Sequence, residues 1–314
     1  MLSPLQRRFP ELVLPRLDFA AGTSPVVEMA DLLVFDDRAH GTVWGGNKPR
    51  KLAWLLADAL AKGRQTLVTA GGRATHHGLA TALYGSEHGF RTTLLLVDQP
   101  MDDHARETYA RLRASGARLV HARTPTRAKL LAPWVLATSP KPYLIPVGGS
   151  SPLGVLGAVE AGLEMAEGLA GRVVSRVVVA YGSGGSAAGV AIGLRLGGVE
   201  VPVTAVLVND QTATGVHRLQ SLAGKALDVL RPHVGNLRPT PDWWDVRTEW
   251  LGDGYGHRTA AGDAAMQRLP GLEPVYTAKA AAAALSMARS TPEPVLFWHT
   301  QSGISGSSPP GTSR

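Results

Sequence analysis

The feature that most constrains this chain is an alternation. Short apolar runs rich in β-branched residues take turns with longer stretches whose apolar residues recur at helical spacing. The runs TLVTA (66–70), RTTLLLVD (91–98), ARLVHA (117–122), YLIPVGG (143–149), SRVVVA (175–180), VPVTAVLV (201–208) and PVLFWHT (294–300) read as strands. The stretches near 75–88, 103–115, 126–138 and 152–170 read as helices. Buried strands separated by helices build βαβ units, so the expected class is α/β, with mostly parallel sheets flanked by helices. Two segments carry no such pattern. Residues 232–250 contain PHVGNLRPTPDWWDV and read as an irregular surface excursion; SGISGSSPPGTSR (302–314) is low-complexity and reads as a disordered tail.

Composition supports a folded chain and excludes several function classes. Hydrophobic residues make up 44% of the 314 and charged residues 18%, enough for a sizeable core and the length of about two domains. No run of roughly 18 apolar residues suggests a membrane span. The N-terminus, MLSPLQRRFPELVLPRLDF, has prolines and charges where a signal peptide needs an apolar run, so a cytoplasmic enzyme is expected. The absence of cysteine removes disulfides, thiolate metal sites and cysteine nucleophiles. The net charge of +7 comes from 32 basic residues, only seven of them lysines, spread without a run; nucleic acid is not the expected partner.

Two local segments carry chemistry. After the run 175–180 comes Tyr181-Gly182-Ser183-Gly184-Gly185-Ser186-Ala187-Ala188-Gly189, and then a helix. Glycines let backbone approach an anion, and the free N–H groups and dipole of a helix start hold phosphate. Ser183 and Ser186 add hydroxyls. Gly182-x-Gly184-x-x-Ala187 also fits a dinucleotide fingerprint, with Asp210 beyond the next strand, which keeps a nicotinamide-dependent oxidoreductase as an alternative. The second segment is WGGNKPRKLAWLL (44–56), a Gly-Gly turn before an amphipathic helix whose first turn is basic. That sign opposes the helix dipole, so Lys48, Arg50 and Lys51 add nothing to helix stability. A partly desolvated lysine beside positive charge has a lowered pKa and becomes a usable amine.

GGNKPRKL (45–52), followed by ADALAKGRQTLVTAGG (57–72), resembles the 1-aminocyclopropane-1-carboxylate (ACC) deaminase/D-cysteine desulfhydrase family. Three further blocks agree in order and spacing: PYLIPVGGSSPLGVLGAVE (142–160), YGSGGSAAG (181–189), and LEPVYTAKAAAAAL (272–285) with VLFWHT (295–300). The resemblance implies the two-domain, fold type II architecture of tryptophan-synthase-β-like enzymes, with pyridoxal 5'-phosphate as cofactor. The small domain is expected at 53–148 and the large domain at 1–52 with 149–314. It implies that Lys51 carries the cofactor, that Gly182, Ser183, Gly184, Gly185 and Ser186 hold its phosphate, that Asn47 shapes the lysine loop and that Thr300 faces the pyridine nitrogen. Tyr276 is implied against the cofactor or substrate, and Tyr255, in the GYG of 254–256, near the reacting carbon.

Where the family has QSNH or QSNQ, this chain has Ala74-Thr75-His76-His77. Thr75 keeps a hydroxyl at the serine position, with a role in catalysis and carboxylate binding. His76 stands where an asparagine binds the cofactor's phenolic oxygen. The substrate carboxylate is expected along Thr75, His76, His77 and Gly78, at a helix start. The His-His pair is not expected to chelate a metal, because adjacent residues rarely ligate together. Thr277 and Thr300 follow the motif tyrosine and the final histidine; ring-opening members carry an acid and an apolar residue there, desulfhydrase-like members Ser or Thr. The expected activity is thus α,β-elimination from a small amino acid by a D-cysteine desulfhydrase-like lyase, in a homodimer. ACC ring opening, β-replacement, racemisation and a degenerate cofactor-binding non-enzyme are the alternatives.

Overall fold

The computed structural model describes residues 2–212 and 214–303. A short helix α1 (Pro4–Arg8) leads to an antiparallel hairpin of β1 (Val26–Met29) and β2 (Leu32–Asp36). Next come α2 (Asn47–Ala61), β3 (Thr66–Gly72), α3 (His76–Glu87), β4 (Arg91–Val97), α4 (Asp103–Ala114), β5 (Arg118–Arg123), α5 (Pro125–Ala137) and β6 (Pro142–Leu144). A one-turn helix (Val147–Gly149) then precedes α6 (Pro152–Leu169), β7 (Arg176–Tyr181), α7 (Gly185–Leu196), β8 (Val203–Leu207) and α8 (Val216–Val234). The chain closes with β9 (Trp244–Arg247), α9 (Ala260–Arg268), α10 (Thr277–Ala288) and β10 (Val295–His299).

The strands form two sheets. The smaller has the order β5-β4-β3-β6 and is parallel throughout. The larger runs β1-β2-β10-β7-β8-β9, antiparallel only at the β1–β2 edge. Alternation along β7 explains why both faces need helices. Val177 and Val179 pack in one core with α6 and α7, while Val178 packs in another with α10. All four strands of the smaller sheet fall within 53–148. The expected boundary at 52/53 lies inside α2, and the one at 148/149 inside the one-turn helix.

Three sequence expectations change. The segment 232–250 is not an irregular excursion: α8 continues to Val234, and β9 adds a sixth strand parallel to β8, with Val203 opposite Trp244 on the ladder. Trp243 and Trp244 are buried. Trp243 ends a one-turn helix and Trp244 opens a four-residue edge strand, which leaves no period to read. The hairpin β1–β2 also went unread, its strands being four and five residues long. YLIPVGG is a strand only to Leu144; Pro146 cannot donate to a ladder, and Gly148 and Gly149 have φ of 64° and 67°. Of the expected tail, Ser302 accepts a hydrogen bond from Gly45 N (2.7 Å) and Gly303 N donates to Arg38 O (2.8 Å). Residues 304–314 lie outside the described residues.

Candidate active site

A cavity of about 530 Å³ opens at the C-terminal ends of β3, β7 and β10, where ligands of parallel sheets collect. Its walls come from both sheets. Asn47, Lys51, Thr75, His76, His77, Gly182, Ser183, Gly184, Ser186, Tyr255, Tyr276 and Thr300, all singled out in the sequence, line it. Gly78 and Gly185 do not: a Cβ on Gly78 would meet Thr75 and Leu94 in the interior, and one on Gly185 would meet Ser150 and Lys51.

The basic start of α2 divides its three charges among three tasks. Arg50 is fully buried and bridges Asp37 (2.8 Å) and Glu164 (2.7 Å); Trp298 Nε1 also donates to Asp37 (2.9 Å). This ties the helix start to β10 and α6. Lys51 is buried and donates to Gly148 O at 3.2 Å. Burial first, then the Lys48 charge, bring its amine down to about 7. Lys48 is half-buried, and desolvation lowers it only to about 8, because Glu273 and Asp37 oppose the shift. Its ammonium donates to Asn47 Oδ1 (2.6 Å), while Asn47 Nδ2 donates to Ser186 Oγ (2.9 Å). Asn47 therefore couples the lysine helix to the glycine loop.

That loop leaves its donors open. Helix α7 begins at Gly185 behind an N-cap glycine, Gly184, with φ of +91° and no side-chain cap. Gly185 N donates to Ser150 Oγ (3.1 Å), which lies 2.7 Å from Ser183 Oγ. A Cβ on Gly185 would stand 2.5 Å from Ser150 Oγ and 3.2 Å from Lys51 Nζ, so the amine and the loop adjoin. Thr212 Oγ1 donates to Gly182 O (2.9 Å) and steadies the turn. Ser150 was missed as a site residue, although it sits in the block PVGGSSPLG; only the packing of α6 against α7 brings it to Ser183.

At the start of α3, Thr75 caps its own helix, its Oγ1 accepting from Gly78 N at 3.1 Å. The backbone N–H groups of His76 and His77 have no partner within the helix at these positions. The two imidazoles diverge: His77 Nε2 lies 3.4 Å from Thr69 Oγ1, and His76 Nε2 lies 3.2 Å from His104 Nε2. Desolvation lowers both to about 3, so both rings are neutral. Across the cavity, the Tyr276 hydroxyl donates to that of Tyr255 (2.8 Å), and Tyr255 donates to Gln99 Oε1 (3.4 Å). Burial raises both phenols, so they hold their protons. Gln99 and Glu273 also escaped the sequence reading; Gln99 lies in no motif, and Glu273, inside the block LEPVYTAK, accepts from the N–H groups of Val275, Tyr276 and Thr277.

Residues 24–301 match the family described as "Pyridoxal-phosphate dependent enzyme". The chain is similar to a solved ACC deaminase homologue at 27% identity and a TM-score of 0.78, covering 98% of this chain and 96% of that one. A threonine deaminase from T.th. (19% identity, TM-score 0.61, covering 90% and 94%) shares the fold. So does O-acetyl serine sulfhydrylase isoform 3 from Entamoeba histolytica (16%, 0.61, covering 90% and 86%). The fold is that of the type II pyridoxal-phosphate enzymes. This chain belongs to the pyridoxal-phosphate dependent enzyme family, and its cofactor is pyridoxal 5'-phosphate. The nicotinamide reading of 182–187 gives way to it. The residues present suit the group: a buried amine of lowered pKa adjoins a glycine loop with free helix-start donors and two serine hydroxyls. Among the described residues, no helix is long and apolar enough to cross a membrane.

Proposed function

We propose that this enzyme removes a β-substituent and ammonia from a small amino acid by α,β-elimination, in the manner of a D-cysteine desulfhydrase, leaving a 2-oxo acid. The observation that carries the choice is a pair of hydroxyls, Thr277 and Thr300, lining the cavity where ring-opening enzymes of the family carry an acid and an apolar residue. A hydroxyl at the pyridine nitrogen does not enforce its protonation, which suits loss of a group at Cβ.

Lys51 would hold the cofactor, Gly182–Ser186 its phosphate, His76 its phenolic oxygen and Thr300 its ring nitrogen. When bound, pyridoxal phosphate supplies an electron sink for the pair left at Cα. The substrate carboxylate would dock on the His76 and His77 N–H groups with the Thr75 hydroxyl, at the positive end of α3. Lys51, with an amine near pH 7, is suited to take the α-proton. Tyr255 and Tyr276 are not bases, because burial keeps them protonated; their hydroxyl chain is suited to pass a proton to the departing group. A cytoplasmic homodimer completes this reading.

The test is a panel of D- and L-amino acids with purified enzyme, following the visible absorbance, 2-oxo acid and ammonia. D-Cysteine should shift the absorbance and release pyruvate, ammonia and sulfide. Release of 2-oxobutanoate from 1-aminocyclopropane-1-carboxylate, with none of these products from D-cysteine, would replace elimination by ring opening.

A further inference from the structure

Glu273 is a buried carboxylate, 2% exposed, with no salt bridge among the described residues. Buried charges are ordinarily paired or bound to a metal. The start of α10 anchors it through backbone N–H groups and the Thr277 hydroxyl. Its Oε1 accepts from the N–H groups of Tyr276 (2.8 Å) and Thr277 (2.5 Å), and its Oε2 from Val275 N (2.9 Å). A carboxylate has about four acceptor positions, so Oε2 retains one for another ligand.

On the facing wall stand two imidazoles from different helices. His76 opens α3 and His104 lies on α4, with Nε2 atoms 3.2 Å apart and rings inclined by 25°. One donor atom from each of His76, His104 and Glu273 can be chosen so that all three lie within 4.8 Å of one another. Two nitrogens bound to one tetrahedral zinc ion at 2.0–2.1 Å are ~3.3 Å apart. The imidazole spacing already matches that edge, and the carboxylate oxygen, within 4.8 Å of both, closes on it by a shift of at most ~1.5 Å. The three residues border a second cavity of about 220 Å³, separate in its walls from the cofactor's except at His76, Glu273 and Gln301. Two cations face this corner. Arg111 is paired with Glu107 at 2.6 Å, and Lys48 is held by Asn47 at 2.6 Å. Neither reaches Glu273 as a salt-bridge partner.

We propose that His76, His104 and Glu273 form a binding site for one divalent transition-metal ion of the zinc type, which ties α3 and α4 of the smaller sheet to the α10 start of the larger one. Two nitrogens and one oxygen are the donor set such ions favour, and the second cavity has room for water at the remaining position. The sequence reading excluded a metal on the adjacency of His76 and His77. Here His77 turns away to Thr69, and the other two ligands come from residues 28 and 197 positions along the chain from His76.

The experiment uses the holoenzyme, freed of metal by a chelator and titrated with Co²⁺ and with Zn²⁺. One Co²⁺ per chain should give visible d–d bands beyond the cofactor's own absorbance, and Zn²⁺ should displace it. His104→Ala should abolish the bands and weaken Zn²⁺ binding by about 100-fold, one ligand's share of a multi-ligand zinc site. Glu107→Gln, in the same cavity wall but outside the set, should bind as the wild type does. Far-ultraviolet circular dichroism checks folding, and His104→Gln replaces His104→Ala if the alanine variant does not fold. A wild-type enzyme without d–d bands, or bands that persist in a folded His104 variant, would overturn the site and leave His76 and His104 as a hydrogen-bonded pair.

Discussion

The two glycine-rich junctions of the active site, one after β3 and one after β7, begin alike and end differently. Each is a strand, a glycine turn and a helix start aimed into the same cavity. At β7 the cap is Gly184, which offers no side chain; Ser150 takes the Gly185 N–H, and the next N–H groups of α7, at Ser186 and Ala187, have no partner within the helix and suit an outside acceptor. At β3 the cap is Thr75, which satisfies Gly78 N itself and sets two imidazoles in the first turn. The open junction suits a phosphate that stays; the self-capped one suits a carboxylate that comes and goes. On the proposed roles, cofactor retention and substrate choice fall to separate turns, and substitutions should separate them.

The largest effect is expected at the open junction. Gly184→Val puts a β-branched residue at φ of +91° beside Tyr181, Leu219 and Leu222. Pyridoxal phosphate affinity should fall about 10- to 100-fold, read by equilibrium dialysis of the folded variant. An unchanged affinity would make 182–186 a packing turn only. At the capped junction, Thr75→Val removes both the cap and a hydroxyl. It should cost about 1 kcal/mol of stability and lower kcat/KM about tenfold with cofactor affinity unchanged, while Thr75→Ser restores both. Loss of cofactor binding in Thr75→Val would erase the division of labour.

This division shows what a sequence can display. The place of Lys51 and of the Gly182–Ser186 loop at the cavity is legible because the signals are local: a basic first turn against a dipole, and glycines after a strand. The strands buried on both faces are legible from their unbroken apolar runs. Ser150, Gln99 and His104 are not, because each acts across a gap closed only by tertiary packing; the hydrogen bonds of Glu273 are local, but its approach to His76 and His104 is not. The edge strands β1 and β9 escaped because four residues cannot establish a period.

A subtler effect comes from exchanging both departures at the capped junction. Thr75→Ser with His76→Asn gives smaller side chains that can still hydrogen-bond, so folding and cofactor binding should persist. Selectivity should shift several-fold toward D-cysteine in a comparison of kcat/KM over an amino-acid panel. Identical profiles would take Thr75 and His76 out of the substrate wall.

An effect on stability rather than on activity lies outside both junctions. His40 and His299 are buried and neutral, lowered mainly by desolvation to about 3 and about 4. In the unfolded chain they protonate near 6.5, so the unfolded state binds more protons as pH falls below that value. Stability should therefore fall from about pH 6.5 down to about 4, by on the order of 1 kcal/mol per pH unit for each histidine, and gain nothing from them above about 6.5. Urea midpoints at about pH 7.5 and about pH 5 measure this, and His40→Gln or His299→Gln should flatten the slope.

The proposed roles in the cavity all depend on Lys51, in preference to its neighbour Lys48, being the lysine that carries the cofactor at the open junction. Borohydride reduction of the holoenzyme followed by peptide mapping tests it directly. The pyridoxyl group should lie on Lys51 alone, retained in Lys48→Ala and absent from Lys51→Ala. A pyridoxyl group on Lys48, or on any of the other five lysines, would contradict it.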